Sequence, residues 1–144
     1  MHSLVMKFGG TSVGSSEALV QAAAIVQEQA GLQERLIVVV SAMSGVTDSL
    51  IRGARTAASG DDQSYRGIVT ELRVLHYRAV DALSLTDAER TQLLAAVDEY
   101  LDEFSAFCHS VYILGEATAR AMDAITSLGE RINARIMAAL LRQG

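Results

Sequence analysis

Lys7 stands just ahead of a glycine pair, and hydroxyl side chains follow at once: Val5-Met6-Lys7-Phe8-Gly9-Gly10-Thr11-Ser12-Val13-Gly14-Ser15. Those residue types at that spacing make a site for an anion. Glycines let the backbone take positive φ and approach a ligand closely. A helix starting just beyond would point its free N–H groups and positive dipole end at the same spot. Lys7 adds a full charge on a flexible stem. The chemistry this suits is holding the phosphates of a nucleotide. Thr11 and Ser12 have two readings, as donors to the ligand or as partners of the loop's own backbone. The spacing is neither that of a Walker A sequence nor that of the dinucleotide fingerprint.

A second small-residue loop, Ser41-Ala42-Met43-Ser44-Gly45-Val46, is followed by Thr47 and Asp48, either of which is a candidate cap for the next helix. Further on, Ser127-Leu128-Gly129-Glu130 has the spacing of a capping box, Ser-x-x-Glu, ahead of another apolar periodicity. His76 and His109 lack a partner at metal-ligand spacing and read as solvated or core-edge histidines; no residue is assigned to a metal. Cys108 is the single cysteine, so an intrachain disulfide and a cysteine zinc site are both excluded.

The elements that must position these residues follow from periodicity. Ser3 to Phe8 reads as a strand and Ser16 to about Ala30 as a helix, ended by Gly31. Arg35 to Ser41 is a second strand. Its core, Leu36-Ile37-Val38-Val39-Val40, is apolar without alternation, which predicts burial on both faces in a parallel sheet. A helix to about Ala58 and a polar turn at Ser59-Gly60-Asp61-Asp62 come next. Ile68, Leu72, Leu75, Ala79 and Leu83 then form one apolar stripe, and Val97, Leu101, Phe104, Cys108 and Val111 another. The spacing predicts an antiparallel helical hairpin turning at Ser84 to Asp87, with Thr86 and Glu89 as a capping box. A shorter helix over about Ala117 to Ile125, then a last one carrying Ile132, Ile136, Ala139 and Leu140, complete the chain, with Gly144 as a stop. Two strands do not make a stable sheet covered on both faces, so the pattern predicts part of a larger α/β domain.

Composition sets bounds. The 144 residues suit one domain, half of them are hydrophobic, and there is no proline. The longest aliphatic run is far short of a membrane span, which needs roughly 18 apolar residues, and the N-terminus lacks the pattern of a secretory signal. Cytoplasmic residence without membrane association is the expectation. Twelve basic against seventeen acidic residues leave a net charge of −5, which argues against nucleic-acid binding.

Taken together the loops resemble a known family. Lys7-Phe8-Gly9-Gly10-Thr11-Ser12-Val13 is similar to the signature of aspartate kinases. Val39-Val40-Ser41-Ala42-Met43-Ser44-Gly45-Val46-Thr47-Asp48 resembles that family's second loop. Gly115 through Arg120, Asp123, Ser127, Gly129, Glu130 and Arg131 resembles its third motif. The resemblance implies the amino-acid-kinase fold, a three-layer α/β/α sandwich on a mainly parallel sheet. It implies transfer of the ATP γ-phosphoryl group, with Mg2+, to the side-chain carboxylate of L-aspartate. That reaction is the first step toward lysine, threonine, methionine and isoleucine. It further implies that residues 1–144 are the N-terminal, aspartate-side part of a longer catalytic domain, inactive alone, with the nucleotide-gripping strands and the ACT regulatory domains absent. Exposed apolar surface and an open sheet edge then predict a homo-oligomer.

Carried over residue by residue, the resemblance makes Lys7 the catalytic, phosphate-contacting lysine. Gly9, Gly10, Thr11 and Ser12 become the phosphate loop, and Ser41, Thr47 and Glu130 the aspartate site. Glu130 would pair with the substrate α-ammonium group, in conflict with its reading as a capping-box residue. Arg131 reads as structural. Another amino-acid kinase and a non-catalytic helical interaction module remain the alternative readings; the second accounts for the hairpin and for neither glycine loop.

Overall fold

The computed structural model describes residues 2–143. Strand β1 (Ser3–Phe8) leads through a short 3-10 turn (Gly10–Val13) into helix α1 (Ser16–Ala30), and strand β2 (Arg35–Val40) returns beside it. Helices α2 (Val46–Ala58), α3 (Ser64–Asp81), α4 (Asp87–Leu114) and α5 (Ala119–Arg142) follow. The predicted Gly144 stop lies outside the described residues.

The strands pair in parallel, with Val5 opposite Ile37, Lys7 opposite Val39 and Phe8 opposite Val40. Burial on both faces is not what results. Exposure alternates along both strands, and Val5, Ile37 and Val39 are 59%, 48% and 44% exposed. Side chains alternate across a strand, and α1 and α5 pack on the β2 side that carries Leu36, Val38 and Val40. The other face has no helical layer among the described residues.

The hairpin forms as the stripes require. Arg90 near the start of α4 reaches back to Asp81 and to the Leu83 carbonyl, while Arg73 and Tyr77 of α3 meet Asp98 of α4. Those pairings fix an antiparallel register. Thr86 caps α4 by accepting from the Glu89 N–H at 3.2 Å, but the reciprocal half of the box is missing. The Glu89 carboxylate is held by Arg142 at 2.9 and 3.0 Å instead, since a guanidinium fork binds both its oxygens at once.

The core runs from Leu19 through Leu50 and Tyr65 to Phe104, Leu128 and Ile136. Gly53 lies against the Phe104 ring, where an added Cβ would stand 2.6 Å from Cζ. Cys108 belongs to this interior, and burial pushes its thiol up to about 12.

His76 is fully buried rather than at the core's edge: Nδ1 bonds the Leu72 carbonyl at 2.7 Å and Nε2 has no partner among the described residues. Desolvation holds it below the ordinary histidine value. The unfolded chain therefore binds a proton that the folded chain refuses, and stability should fall as pH drops below about 6.5. The slope should approach ~1.4 kcal/mol per pH unit. Urea melts from pH 7.5 to 5 check this: His76→Leu should flatten that stretch of the curve, and a slope unchanged by the substitution would exclude His76 as its source.

The last two predicted helices are one. Thr118 caps α5 through the Ala121 N–H at 3.1 Å, and the helix continues unbroken to Arg142. The Ser127 hydroxyl donates to the Ala124 carbonyl at 2.8 Å, as an interior helical serine does, so the predicted capping box does not exist. Gly129 does not break the helix either. Its helical penalty is only about 1 kcal/mol, and its missing side chain lets α5 sit directly on Ala42 and Val46.

Candidate functional site

Parallel pairing puts the carboxyl ends of β1 and β2 at one edge, and both loops leave from there. That edge is where α/β sheets bind ligands. The ladder continues past the strands, since the Ser41 N–H donates to the Phe8 carbonyl at 3.0 Å. The loops then join directly, the Ser44 N–H donating to the Gly14 carbonyl at 3.2 Å. Gly14 admits that approach, because a Cβ there would collide with the Ser44 hydroxyl. Gly9 faces Ser41 less tightly: a Cβ there would make ordinary contact with Ser41 Oγ at 3.9 Å.

The first loop differs in one respect from the direct strand-turn-helix arrangement expected. Gly10 has φ +58 and opens a 3-10 turn, closed by Ser12 N–H to Gly9 carbonyl at 3.1 Å. The start of α1 is capped by Ser15, which accepts from the Ala18 N–H, so the turn and not α1 lies next to the glycine pair. Gly10 and Thr11 head the turn, and their N–H groups have no partner among the described residues. Gly9, Gly10, Thr11 and Ser12 are all exposed. Lys7 is exposed too, on the uncovered face of β1 beside Val39.

The second loop corrects a cap. Gly45, at φ +80, precedes α2, and no side chain caps the helix. A left-handed conformation at the cap position suits glycine alone, and it moves the helix start to Val46. Thr47 is therefore the second residue of α2, half-buried, with its hydroxyl unused by the helix terminus. Ser41 is half-buried, and its hydroxyl makes only a long 3.3 Å contact to the Ala42 carbonyl.

Helix α5 closes the site from behind. Gly129 rests on Ala42 and Val46, and Glu130 is the next residue of α5 after that contact. Glu130 is exposed and has no hydrogen bond or ion pair among the described residues; with no capping box, nothing in its own helix occupies it. Arg131 has the structural place expected, stacked 4.9 Å over the Tyr100 ring and 3.7 Å from Glu103. A cavity of about 660 Å³ between α4 and α5, against Glu89, Arg135 and Arg142, includes no residue of either loop in its lining.

One residue at this site escaped the sequence reading. Asn133, one turn after Glu130, is fully buried, and its Nδ2 donates to the Ser41 carbonyl at 2.7 Å and the Val13 carbonyl at 3.3 Å. The only signal available was a polar residue interrupting the apolar side of α5.

Comparison with known proteins gives this geometry its context. The family model described as the amino acid kinase family matches residues 3–143. The bifunctional aspartokinase/homoserine dehydrogenase 1 of Arabidopsis thaliana chloroplasts is 37% identical over 140 residues, 96% of this chain and 15% of that protein. The aspartokinase of Candida albicans is 28% identical over 146 residues, 96% of this chain and 26% of its own length. The chain thus spans 15% to 26% of the length of these relatives. Among solved structures, E. coli aspartokinase III in complex with lysine and aspartate superposes with a TM-score of 0.77 at 22% identity, over 96% of this chain and 28% of that one. The same enzyme in complex with aspartate and ADP superposes at 0.76 and 23% identity, over 99% of this chain and 29% of that one. The helix-rich arrangement on a short parallel sheet is therefore the amino-acid-kinase fold. By the match over residues 3–143, the chain belongs to the amino acid kinase family.

Proposed function

We propose that this chain is the aspartate-side, N-terminal portion of an aspartate kinase catalytic domain, which transfers the γ-phosphoryl group of ATP to the side-chain carboxylate of L-aspartate. The observation that carries the reading is the direct junction of the two loops at the carboxyl edge of the sheet, with an unengaged Glu130 next to the glycine that seats α5 on the second loop. The names of its relatives and the aspartate and ADP bound in the matching structures support it.

Each residue's role follows from its chemistry. Phosphoryl transfer asks for positioning and for neutralisation of spreading charge more than for covalent catalysis. Lys7 supplies a cation, and the free N–H groups of Gly10 and Thr11, with the hydroxyls of Thr11 and Ser12 and the bare backbone of Gly9, supply donors. Ser41 and Thr47 offer hydroxyls to the aspartate carboxylates, the latter at a helix start whose dipole favours negative charge. Glu130 offers a carboxylate to the α-ammonium group. No group of three or more metal-ligating side chains occurs among the described residues. They do not form a cage for the Mg2+ that accompanies ATP. Cytoplasmic residence belongs to the same reading; no described helix is long and apolar enough to cross a membrane.

Calorimetric titration of the chain with L-aspartate, L-glutamate and ATP tests this. Aspartate should bind saturably, and glutamate should not compete. Since in-line transfer needs both substrates clamped, a coupled assay should show no aspartate-dependent ADP release from residues 1–144 alone. A chain that ignores aspartate would overturn the site, and robust turnover would overturn the partial-domain reading. The uncovered Val5, Ile37 and Val39 should also drive self-association; a monomer in concentrated solution by light scattering would contradict that.

A further inference from the structure

We infer that Asn133 is the positioning residue that locks the two loops together, and that acceptor-substrate affinity depends on its amide. This deepens the aspartate-kinase reading and rests on it for the substrate.

Three observations converge on this residue. Asn133 is fully buried, and one Nδ2 group donates to carbonyls separated in sequence by α1 and β2: Val13 at 3.3 Å, ending the phosphate loop, and Ser41 at 2.7 Å, opening the aspartate loop. Its orientation is fixed chemically. Turning the amide over would aim Oδ1 at two carbonyl oxygens. The Oδ1 left on the other side has no partner among the described residues. Asn133 also lies three residues beyond Glu130, and residues at that separation share a helix face. The clamp therefore ties both loops to the helix that carries the proposed ammonium-binding carboxylate. Among the described residues, the other direct hydrogen bond between the loops is that from the Ser44 N–H to the Gly14 carbonyl. Without the amide, two buried carbonyls would lose their donor, and the Ser41 end of the second loop would be held to the first strand through its N–H bond to the Phe8 carbonyl without the second tie to Val13 and α5.

Hydrogen exchange and aspartate titration on the same proteins test it. Asn133→Leu keeps the bulk and removes the donor. The Ser44 and Ser41 amides should exchange at least about tenfold faster, while amides of α3 and α4 keep their protection, and aspartate should bind at least about tenfold more weakly with ATP binding little changed. Asn133→Asp adds a readout that mere packing does not move. A carboxylate facing two carbonyls repels them, whereas a protonated carboxyl can donate to one. Aspartate affinity and loop protection should then recover as pH falls from 8 to 5 in Asn133→Asp and not in Asn133→Leu. Glu130 of α5 and Asp48 of α2 are the same in both variants, so the comparison isolates position 133. Unchanged loop exchange in Asn133→Leu would overturn the clamp. Loosened loops with unchanged aspartate affinity, or no difference between the variants with pH, would overturn the positioning role. A wild-type chain that fails to bind aspartate defeats the functional reading and with it the substrate part of this inference, while loop exchange still decides the clamp.

Discussion

Glu130→Gln is expected to weaken L-aspartate binding by about 10- to 150-fold, with the thermal midpoint unchanged. A hydrogen bond to a charged group contributes about 1.5–3 kcal/mol, and each 1.4 kcal/mol is roughly tenfold in affinity. The glutamine keeps the shape and one acceptor but loses the charge that pairs with the α-ammonium group. The unchanged midpoint is the discriminating half. Glu130 is exposed, has no partner among the described residues, and lies inside a continuous helix rather than at its start. Loss of a capping residue would cost about 1 kcal/mol and lower the midpoint, so a parallel fall in stability would restore the capping role. Unaltered calorimetric affinity for aspartate would remove Glu130 from the site.

Phe104→Ala should be the most damaging single truncation, at about 3–5 kcal/mol of unfolding free energy. Its ring is fully buried, and it fills the space in front of Gly53 where α2 meets α4. A second substitution shows that the contact is specific. In the intact protein, Gly53→Ala places a methyl 2.6 Å from the ring carbon Cζ, and overpacking of that kind costs about 1–3 kcal/mol. With the ring gone the same methyl enters empty space, and alanine's helical preference over glycine contributes about 1 kcal/mol in its favour. The sign of the Gly53→Ala effect should therefore reverse between the two backgrounds. Urea denaturation of the four proteins closes the cycle; additive effects would mean that the helices shift apart to accommodate the methyl.

Much of this architecture was legible in the sequence. Short apolar runs located both strands and the helical periodicity located the hairpin, since each apolar stripe has to find a buried face. The loop Lys7 to Ser12 stood out because a lysine, paired glycines and hydroxyls after a strand are an uncommon conjunction with an obvious use. Misreadings clustered where a local signal and a packing demand competed. Ser127-x-x-Glu130 has the spacing of a helix start, but spacing cannot report that the backbone is already helical from Ala119 onward. Gly129, inside that supposed helix start, is an approach point that seats α5 on the second loop, at a helical penalty of only about 1 kcal/mol. Thr47 and Asp48 looked like caps, yet Gly45 in a left-handed conformation had already started the helix.

The sequence by itself determined the residue chemistry: a phosphate-type loop after one strand, a hydroxyl loop after the other, and a carboxylate on the last helix. Those are short-range facts, carried by neighbours along the chain. Tertiary structure alone decided which of them act together. Asn133 reaches carbonyls 92 and 120 residues away, and no periodicity encodes a hydrogen bond across that distance. Nor could pattern show that Leu36 to Val40 would be covered on a single side, since burial depends on which helices return to the sheet. The two glycine-containing loops are side by side because a parallel pair of strands brings their carboxyl ends to one edge, and a buried amide bonds to both.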